Sequence, residues 1–138
     1  MPRTISPLQP PYGQLAVIRY KLLYSTMNTV VDIGRLPAYA SVIGGGAHIL
    51  TAFNDSGTDT IDIGFRDGSS TDDPDAYATL LAATAVGFIA LDELAATTNI
   101  IQAKPCILTA RYNGQNSNAT AGVAYLTILA SVGPTDGS

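Results

Sequence analysis

The chain is poor in the side chains that most enzymes and nucleic-acid-binding proteins use. Only 13% of its 138 residues are charged, where about 25% is usual for a soluble domain. It has one histidine, one cysteine and no tryptophan, and its seven basic residues form no run that would contact phosphates. We therefore expect no intramolecular disulfide and no nucleic-acid partner.

Long apolar segments are also lacking. No run approaches the roughly 20 apolar residues of a membrane span, and the opening MPRTISPLQPPYGQ has no apolar core typical of a secretory signal. We expect no membrane partner and synthesis in the cytoplasm. Hydrophobic residues nevertheless make up 46% of the chain. With so few charges, much of the surface must be neutral or apolar, which favours a subunit covered by a partner.

Catalytic and metal-binding signatures are missing too. His48 has no nucleophile motif to accompany it, and one histidine with Cys106 does not make a zinc ligand set. Cys106 lies in the apolar stretch PCILTARY, so we predict a buried, unreactive thiol. The triple glycine Gly44–Gly46 lacks the phosphate-loop spacing and predicts a turn. We predict no catalytic residue, no metal site, no cofactor and no enzymatic activity.

Two acidic clusters leave one alternative open. They are typical of turns and helix starts, where carboxylates accept unpaired N–H groups. They lack the spacing of a calcium loop, although a bound cation at these Asp-rich turns remains an alternative. The first cluster is Asp55, Asp59 and Asp62, and the second is Asp72, Asp73 and Asp75.

Alternating apolar residues predict several short β-strands. In QLAVIRYKLLYS the apolar residues occupy every second position from Ile18, and Arg19 and Lys21 lie between them, as in a half-buried strand. Similar patterns occur in NTVVDIG, in LPAYASVI (started by Pro37), and in VGFIAL, NIIQA and CILTARY.

Two turn-rich segments predict β-hairpins. AHILTAF and DTIDIGF flank Asn54–Thr58, and CILTARY and VAYLTILASV flank NGQNSNATAG. Asn, Asp and Gly tolerate left-handed backbone angles and hydrogen-bond their own main chain, so they close tight reversals.

One short helix of about two turns is predicted in DGSSTDDPDAYATLLAAT. Asp73 suits the N-cap and Pro74 the first helical position. Tyr77, Leu80 and Leu81 then share a face at helical spacing.

These patterns predict an all-β protein, an antiparallel β-sandwich of jelly-roll-like type with one short helix. Residues 1–13 carry four prolines and predict an extended N-terminal arm, because proline fixes φ and lacks an N–H. A single β-sandwich domain is predicted over residues 14–132, followed by a flexible C-terminal tail at 133–138.

An interface is predicted on the last strand and on the arm. VAYLTILASV is apolar on both faces, so it should be central or covered by another subunit. The arm is either a disordered tail or a segment whose apolar residues contact a neighbouring subunit. The predicted interface residues are Ile5, Leu8, Tyr12, Val123, Tyr125 and Leu129.

The stretch DIGRLPAYASVIGGGAHILTAFNDSGTDTIDIGFRDG, followed by TDDPDAYATLLAATAVGF and TARYNG…ATAGVAYLTI, resembles small virion structural proteins of tailed bacteriophages. Several of these proteins are head decoration, or cement, proteins. The resemblance covers roughly Val31 to Leu129 and consists of strands, turns and small residues. It implies a β-rich, often trimeric subunit on the outside of the capsid, which bridges major capsid subunits and holds the shell against internal DNA pressure.

The expected partners are therefore further copies of the chain, as a homotrimer, and the major capsid protein. The expected location is the capsid surface of the virion, after assembly in the host cytoplasm. Two other functions remain alternatives. A phage tail or host-recognition module would bind a glycan or receptor. A small jelly-roll enzyme would bring His48 and the carboxylates of Asp72–Asp75 into one cleft.

Overall fold

The computed structural model describes residues 14–68, 72–96 and 103–133. The predicted arm at 1–13, most of the NIIQA pattern and the tail after Gly133 lie outside these ranges. Within them, no helix is long and apolar enough to cross a membrane. The ranges contain a 3-10 turn (Tyr24–Thr26) and eight strands: β1 (Gln14–Leu23), β2 (Val30–Leu36), β3 (Ser41–Thr51), β4 (Asp59–Arg66), β5 (Asp73–Ala82), β6 (Gly87–Ala90), β7 (Cys106–Gly114) and β8 (Val123–Val132).

The strands form two four-stranded antiparallel sheets. The first sheet has the order β1-β8-β3-β6, and the second has the order β2-β7-β4-β5. The chain pairs from its ends toward its middle, as β1 with β8, β2 with β7, β3 with β6 and β4 with β5. Pairing of β3 with β8 and of β4 with β7 joins these two-stranded pairs into the two sheets. This is the jelly-roll arrangement, and the predicted β-sandwich is confirmed.

The core lies between the two sheets, where alternate residues of each strand point inward. β8 pairs on both sides and is therefore a central strand, which is one of the two arrangements predicted for it. Its inward residues are fully buried, and those of β1 follow the predicted alternation. The largest fully buried side chains are Tyr77, Tyr112, Phe65, Leu22, Ile49, Ile61, Ile63, Leu108, Leu126 and Ile128.

Both predicted hairpins are wrong. β3 and β4 lie in different sheets, as do β7 and β8, so each Asn/Gly-rich segment crosses from one sheet to the other. We call these crossings the β3–β4 arch (residues 52–58) and the β7–β8 arch (residues 115–122). Turn chemistry reverses the chain in either case, and it does not choose the sheet to which the next strand adds.

The predicted helix is also wrong, because Asp73–Ala82 is the edge strand β5. Register shifts against β4 interrupt its alternation. Tyr77 and Leu81 are therefore both buried, while Leu80 is 58% exposed and has φ 54°. The bulged strand thus buries residues at a spacing of four, as a helix would. Pro74 is tolerated because an edge strand leaves one row of N–H groups unpaired.

The triple glycine lies inside β3, so the predicted turn there is wrong. Gly45 has φ +124°, and a Cβ at that position would lie 2.0 Å from the Thr127 carbonyl oxygen. A Cβ at Gly46 would lie 2.2 Å from the Ile89 carbonyl oxygen. The glycines therefore allow β8 and β6 to approach β3 closely.

The strand predicted to start at Pro37 begins four residues later. Pro37 and Ala40 are joined in a turn by an N–H···O bond of 3.3 Å from Ala40 to Pro37. β3 begins at Ser41.

Replacement of Gly45 by alanine should lower the free energy of unfolding by about 2 kcal/mol or more, because the new Cβ meets backbone and the φ is strained. Urea unfolding would measure the loss. Gly44→Ala is the matched control, since its Cβ would meet only Leu129 Cδ1 at 3.7 Å. Equal effects of the two substitutions would contradict this account of Gly45.

Candidate functional site

The outward side of the first sheet carries a concentration of apolar side chains. Eleven large apolar side chains are exposed in the described residues, and six of them lie on this side. Contiguous exposed apolar patches mark interaction surfaces. We call this surface the docking face. It comprises those six (Leu15, Val17, Leu23, Ile43, Leu50 and Phe88) together with Arg19, Lys21, His48, Val123, Tyr125, Thr127 and Leu129.

The predicted residues of β8 lie together along the middle of the docking face. They alternate with the buried core residues of β8 and are half-buried. Leu129 lies in register between Val17 on β1 and Gly44 on β3, and Tyr125 lies between Lys21 and His48. Val123 ends the row beside Leu23. The structure therefore brings the three β8 residues onto one surface, whereas Ile5, Leu8 and Tyr12 lie outside the described residues.

The docking face has no acidic side chain. Every residue of β1, β3, β6 and β8 is described, and these strands contain Arg19 and Lys21 but no aspartate or glutamate. The Arg19 guanidinium carbon lies 4.9 Å from the centre of the Tyr125 ring, within cation–π distance. The face is thus apolar with a basic margin along β1.

The outward side of the second sheet has the opposite character. Asp32 accepts two hydrogen bonds from Arg66, at 3.2 and 2.7 Å. The hydrogen bond from Arg66 holds the pKa of Asp32 below its usual value. Asn113 accepts from Arg111 and donates to Asp62 at 3.1 Å. Polar groups on this side satisfy one another, so it offers little apolar area to a partner.

A cleft of about 230 Å³ opens at one end of the docking face. Its lining consists of Gln14, Leu15, Ile43 and Ser131. Leu15 is 61% and Ile43 55% exposed, so the two apolar walls are open to the surface. Gln14 is the first residue of β1, and the cleft therefore lies where the predicted arm joins the sandwich.

Asp55 joins the two arches. Its side chain accepts four backbone N–H groups, from Gly57 at 2.9 Å and from Gln115, Asn116 and Asn118 at 3.0 Å each. Asp55 is only 5% exposed. Burial raises its pKa, but the four N–H donors outweigh burial, and the pKa lies below its ordinary value. The carboxylate is therefore held ionised at the centre of the loops.

Polar groups on both sides of Asp55 add further hydrogen bonds between the two arches. We call this hydrogen-bonded contact of residues 54–56 with residues 115–121 the junction. Asn54 Oδ1 accepts the N–H groups of Thr120 at 2.8 Å and Ala121 at 3.0 Å. Ser56 donates its N–H to Asn118 Oδ1 at 2.8 Å. The two segments, which the sequence relates only by composition, are thus one hydrogen-bonded unit.

The junction is anchored to the core below it. Asp59 is 3% exposed and accepts from the Asp55 N–H at 3.1 Å and from the Tyr112 hydroxyl. Burial, followed by the hydrogen bond to Asp59, raises the pKa of Tyr112. The Tyr112 ring packs on Phe53, with centroids 4.5 Å apart. The acids of this cluster therefore serve as acceptors for protein groups.

The groups required by the enzyme alternative are not brought together. His48 lies on the docking face, edge-on to the Phe88 ring. Asp73 and Asp75 begin β5 in the other sheet, and the hydrogen bond between their side chains raises the pKa of Asp75. Cys106 is buried as predicted, and burial raises its pKa to about 11. No group of three or more His, Cys, Asp or Glu side chains in the described ranges is placed to hold a metal ion.

Sequence reasoning missed part of the docking face. Leu15, Val17 and Leu23 alternate with the inward residues of β1 just as Arg19 and Lys21 do. That alternation could have assigned the three apolar residues to the outward face. Ile43 and Phe88 could not be found in this way, because bulges in β3 and the pairing of β6 with β3 place them there.

No protein-family model and no curated protein matches the chain. Solved phage capsids contain chains of similar fold. A chain from the capsid of Ralstonia phage GP4 has a TM-score of 0.67 at 16% identity, over 96% of this chain and 93% of that chain. A chain from the cyanophage Pam1 capsid asymmetric unit has a TM-score of 0.59 at 15% identity, over 95% and 94%. A chain from the acidic stable capsid of Helicobacter pylori bacteriophage KHP30 has a TM-score of 0.56 at 15% identity, over 86% and 87%. At identities this low, these structural matches show a shared fold alone.

Replacement of Asp55 by asparagine should lower the urea midpoint at pH 7, because the acceptor of four N–H groups loses its charge. Asp92→Asn is the control, since that exposed carboxylate accepts one backbone N–H, from Thr79. We expect the loss at Asp55 to be several times that at Asp92.

Wild type and Asp55→Asn together also test how the stabilisation by Asp55 depends on pH. The folded pKa of Asp55 lies below the unfolded value of about 3.9. Its stabilisation is therefore present above that pH and is lost as the pH falls through the folded pKa. The difference in unfolding midpoint between wild type and Asp55→Asn should narrow below about pH 4. A difference that stays constant from pH 7 to pH 2 would contradict this role.

Proposed function

We propose that the chain is a structural protein of a phage virion and, more narrowly, a decoration protein that binds the outer surface of the major capsid protein shell and stabilises it. The observation that carries the proposal is the docking face, an exposed apolar sheet surface without an acidic side chain. The jelly-roll fold shared with chains of three phage capsids supports the virion assignment. The resemblance of the strand and turn pattern supports the decoration role.

Binding in this proposal is driven by burial of the docking face. A standard interface buries about 800 Å² per partner, and apolar area contributes about 25 cal/mol per Å² before the costs of association. Val123, Tyr125 and Leu129 lie at the centre of the face, on a strand fixed by hydrogen bonds on both sides. Little ordering is then required on binding. Contacts repeated over a shell also gain by multivalency.

In this proposal three copies of the chain form a homotrimer on the capsid surface, and the virion is assembled in the host cytoplasm. Residues 14–132 form its β-sandwich domain, residues 133–138 a tail, and residues 1–13 an arm whose Ile5, Leu8 and Tyr12 contact a neighbouring molecule. No step of this function uses catalysis. The separation of His48 from the Asp73–Asp75 pair on different sheets favours the structural role over the jelly-roll enzyme.

The solution mass tests self-association. We expect light scattering coupled to size exclusion to give three times the 14.3 kDa chain mass at micromolar concentration. A monomer at all concentrations, with or without capsid protein, would contradict the trimer.

Shell binding tests the docking face. Leu50→Asp should weaken co-sedimentation with empty shells of the same phage's major capsid protein by about tenfold or more, which corresponds to about 1.4 kcal/mol. The reason is that a carboxylate enters the apolar face, where Leu50 is 49% exposed. Val30→Asp is the matched control, because Val30 is 49% exposed and lies on β2, the edge strand of the other sheet. Equal weakening by both variants would reject this face as the shell contact, and unfolding curves would show that both are folded.

A further inference from the structure

We propose that the cleft formed by Gln14, Leu15, Ile43 and Ser131 is the seat for the N-terminal arm, residues 1–13, of a second copy of the chain. This inference deepens the self-association in the proposed function and rests on it. It assigns to that association a donor segment and a receiving site.

The cleft has the size and chemistry of a side-chain receptor. Its volume of about 230 Å³ is below the range of about 300–1,000 Å³ typical of small-molecule pockets. None of its lining residues in the described part of the chain is charged, and Leu15 and Ile43 are both more than half exposed. Val17, 55% exposed, lies two residues along β1 from Leu15 and extends the apolar area beyond the cleft. An extended apolar segment would cover both.

The sequence of the arm suits this site. Ile5, Leu8 and Tyr12 are its large apolar residues after Met1, and Arg3 is its only charged side chain. The spacing of three and four residues lets an extended chain place one apolar side chain in the cleft and another on the area beside it. Proline-rich segments have few conformations to lose, so they dock at low entropic cost.

Geometry favours a second copy over the same chain as the donor. Gln14 and Leu15 line the cleft themselves, so Tyr12 of the same chain could enter only by reversing at Gly13. Leu8 lies six residues before Gln14, and Pro10 and Pro11 favour an extended path of about 3.1 Å per residue. Six residues at that rise span about 19 Å, which is too far for Leu8 to fill a cleft beside Gln14 without a reversal of the chain. The arm of another molecule needs no reversal.

Disulfide trapping between two variants, each with one cysteine introduced beside the native Cys106, tests the donor and the site together. Leu8→Cys and Ile43→Cys are purified separately, mixed in equal amounts and oxidised with copper–phenanthroline. Only contact between different molecules can join them. We expect at least about tenfold more disulfide-linked dimer than in the control, because a seated arm raises the local thiol concentration to the millimolar range. The readout is non-reducing gel electrophoresis.

The matched control is a mixture of Leu8→Cys with Val30→Cys, which places the second thiol at a similarly exposed apolar position on the other sheet. Wild type controls for Cys106, which is buried. Dimer no more abundant than in the Val30 mixture would overturn the proposal. A double variant Leu8→Cys/Ile43→Cys that closes only within one chain, and so remains monomeric, would overturn the second-copy assignment.

The outcome is separable from the proposed function. If wild type forms trimers and binds shells while the Leu8–Ile43 mixture gives no excess dimer, only the placement of the arm is rejected. If wild type self-associates but does not bind shells, the shell-binding function fails, and excess dimer in the Leu8–Ile43 mixture would still support the seat as a contact between copies. If wild type does not self-associate, both the trimer and the seat are rejected.

Discussion

The acceptance of four backbone N–H groups by Asp55 is the interaction on which the rest of the structure depends. Three of those donors belong to the β7–β8 arch, so two crossings that are about 60 residues apart in sequence are tied at one end of the sandwich. This junction fixes where β4 and β8 begin. Because β8 is then held between β1 and β3, its alternate residues are directed outward onto the docking face. A buried carboxylate is acceptable here because each donor compensates part of its desolvation.

The outward surfaces of the two sheets have different chemistry, and this difference favours the first sheet as the one that contacts a partner. On the second sheet, charged groups pair with one another, as Asp32 does with Arg66. On the first sheet, Leu15, Val17 and Ile43 expose apolar carbon without acidic neighbours. The paired charges on the second sheet stay exposed to water at little cost. Exclusion of water from the apolar surface of the first sheet by a partner is favourable. A rigid two-sheet scaffold presents that apolar surface ready for contact.

Glycine and bulges shape the same surface. The positive φ of Gly45 and the absence of a Cβ at Gly46 allow β8 and β6 to lie close to β3. A register shift beside Gly44 turns Ile43 toward the cleft at the start of β1. The cleft therefore depends on a local irregularity of β3. Small residues in this strand are consequently part of the proposed recognition site as well as of the fold.

The sequence by itself determined the all-β class, most strand positions, the inward residues of β1 and the two-sided apolar character of β8. These properties follow from period-two patterning and composition, which are local. Only the tertiary structure decided that Asn54–Thr58 and the segment after Gly114 are arches. Turn residues reverse the chain, but they do not determine which strand pairs with the segment that follows the turn. It also decided that Asp73–Ala82 is a bulged strand, since pairing with β4 overrides the helical spacing of Tyr77 and Leu81. The docking face was foreseeable at Val123, Tyr125 and Leu129, but its extension to Ile43 and Phe88 was not, because it depends on pairing between distant strands.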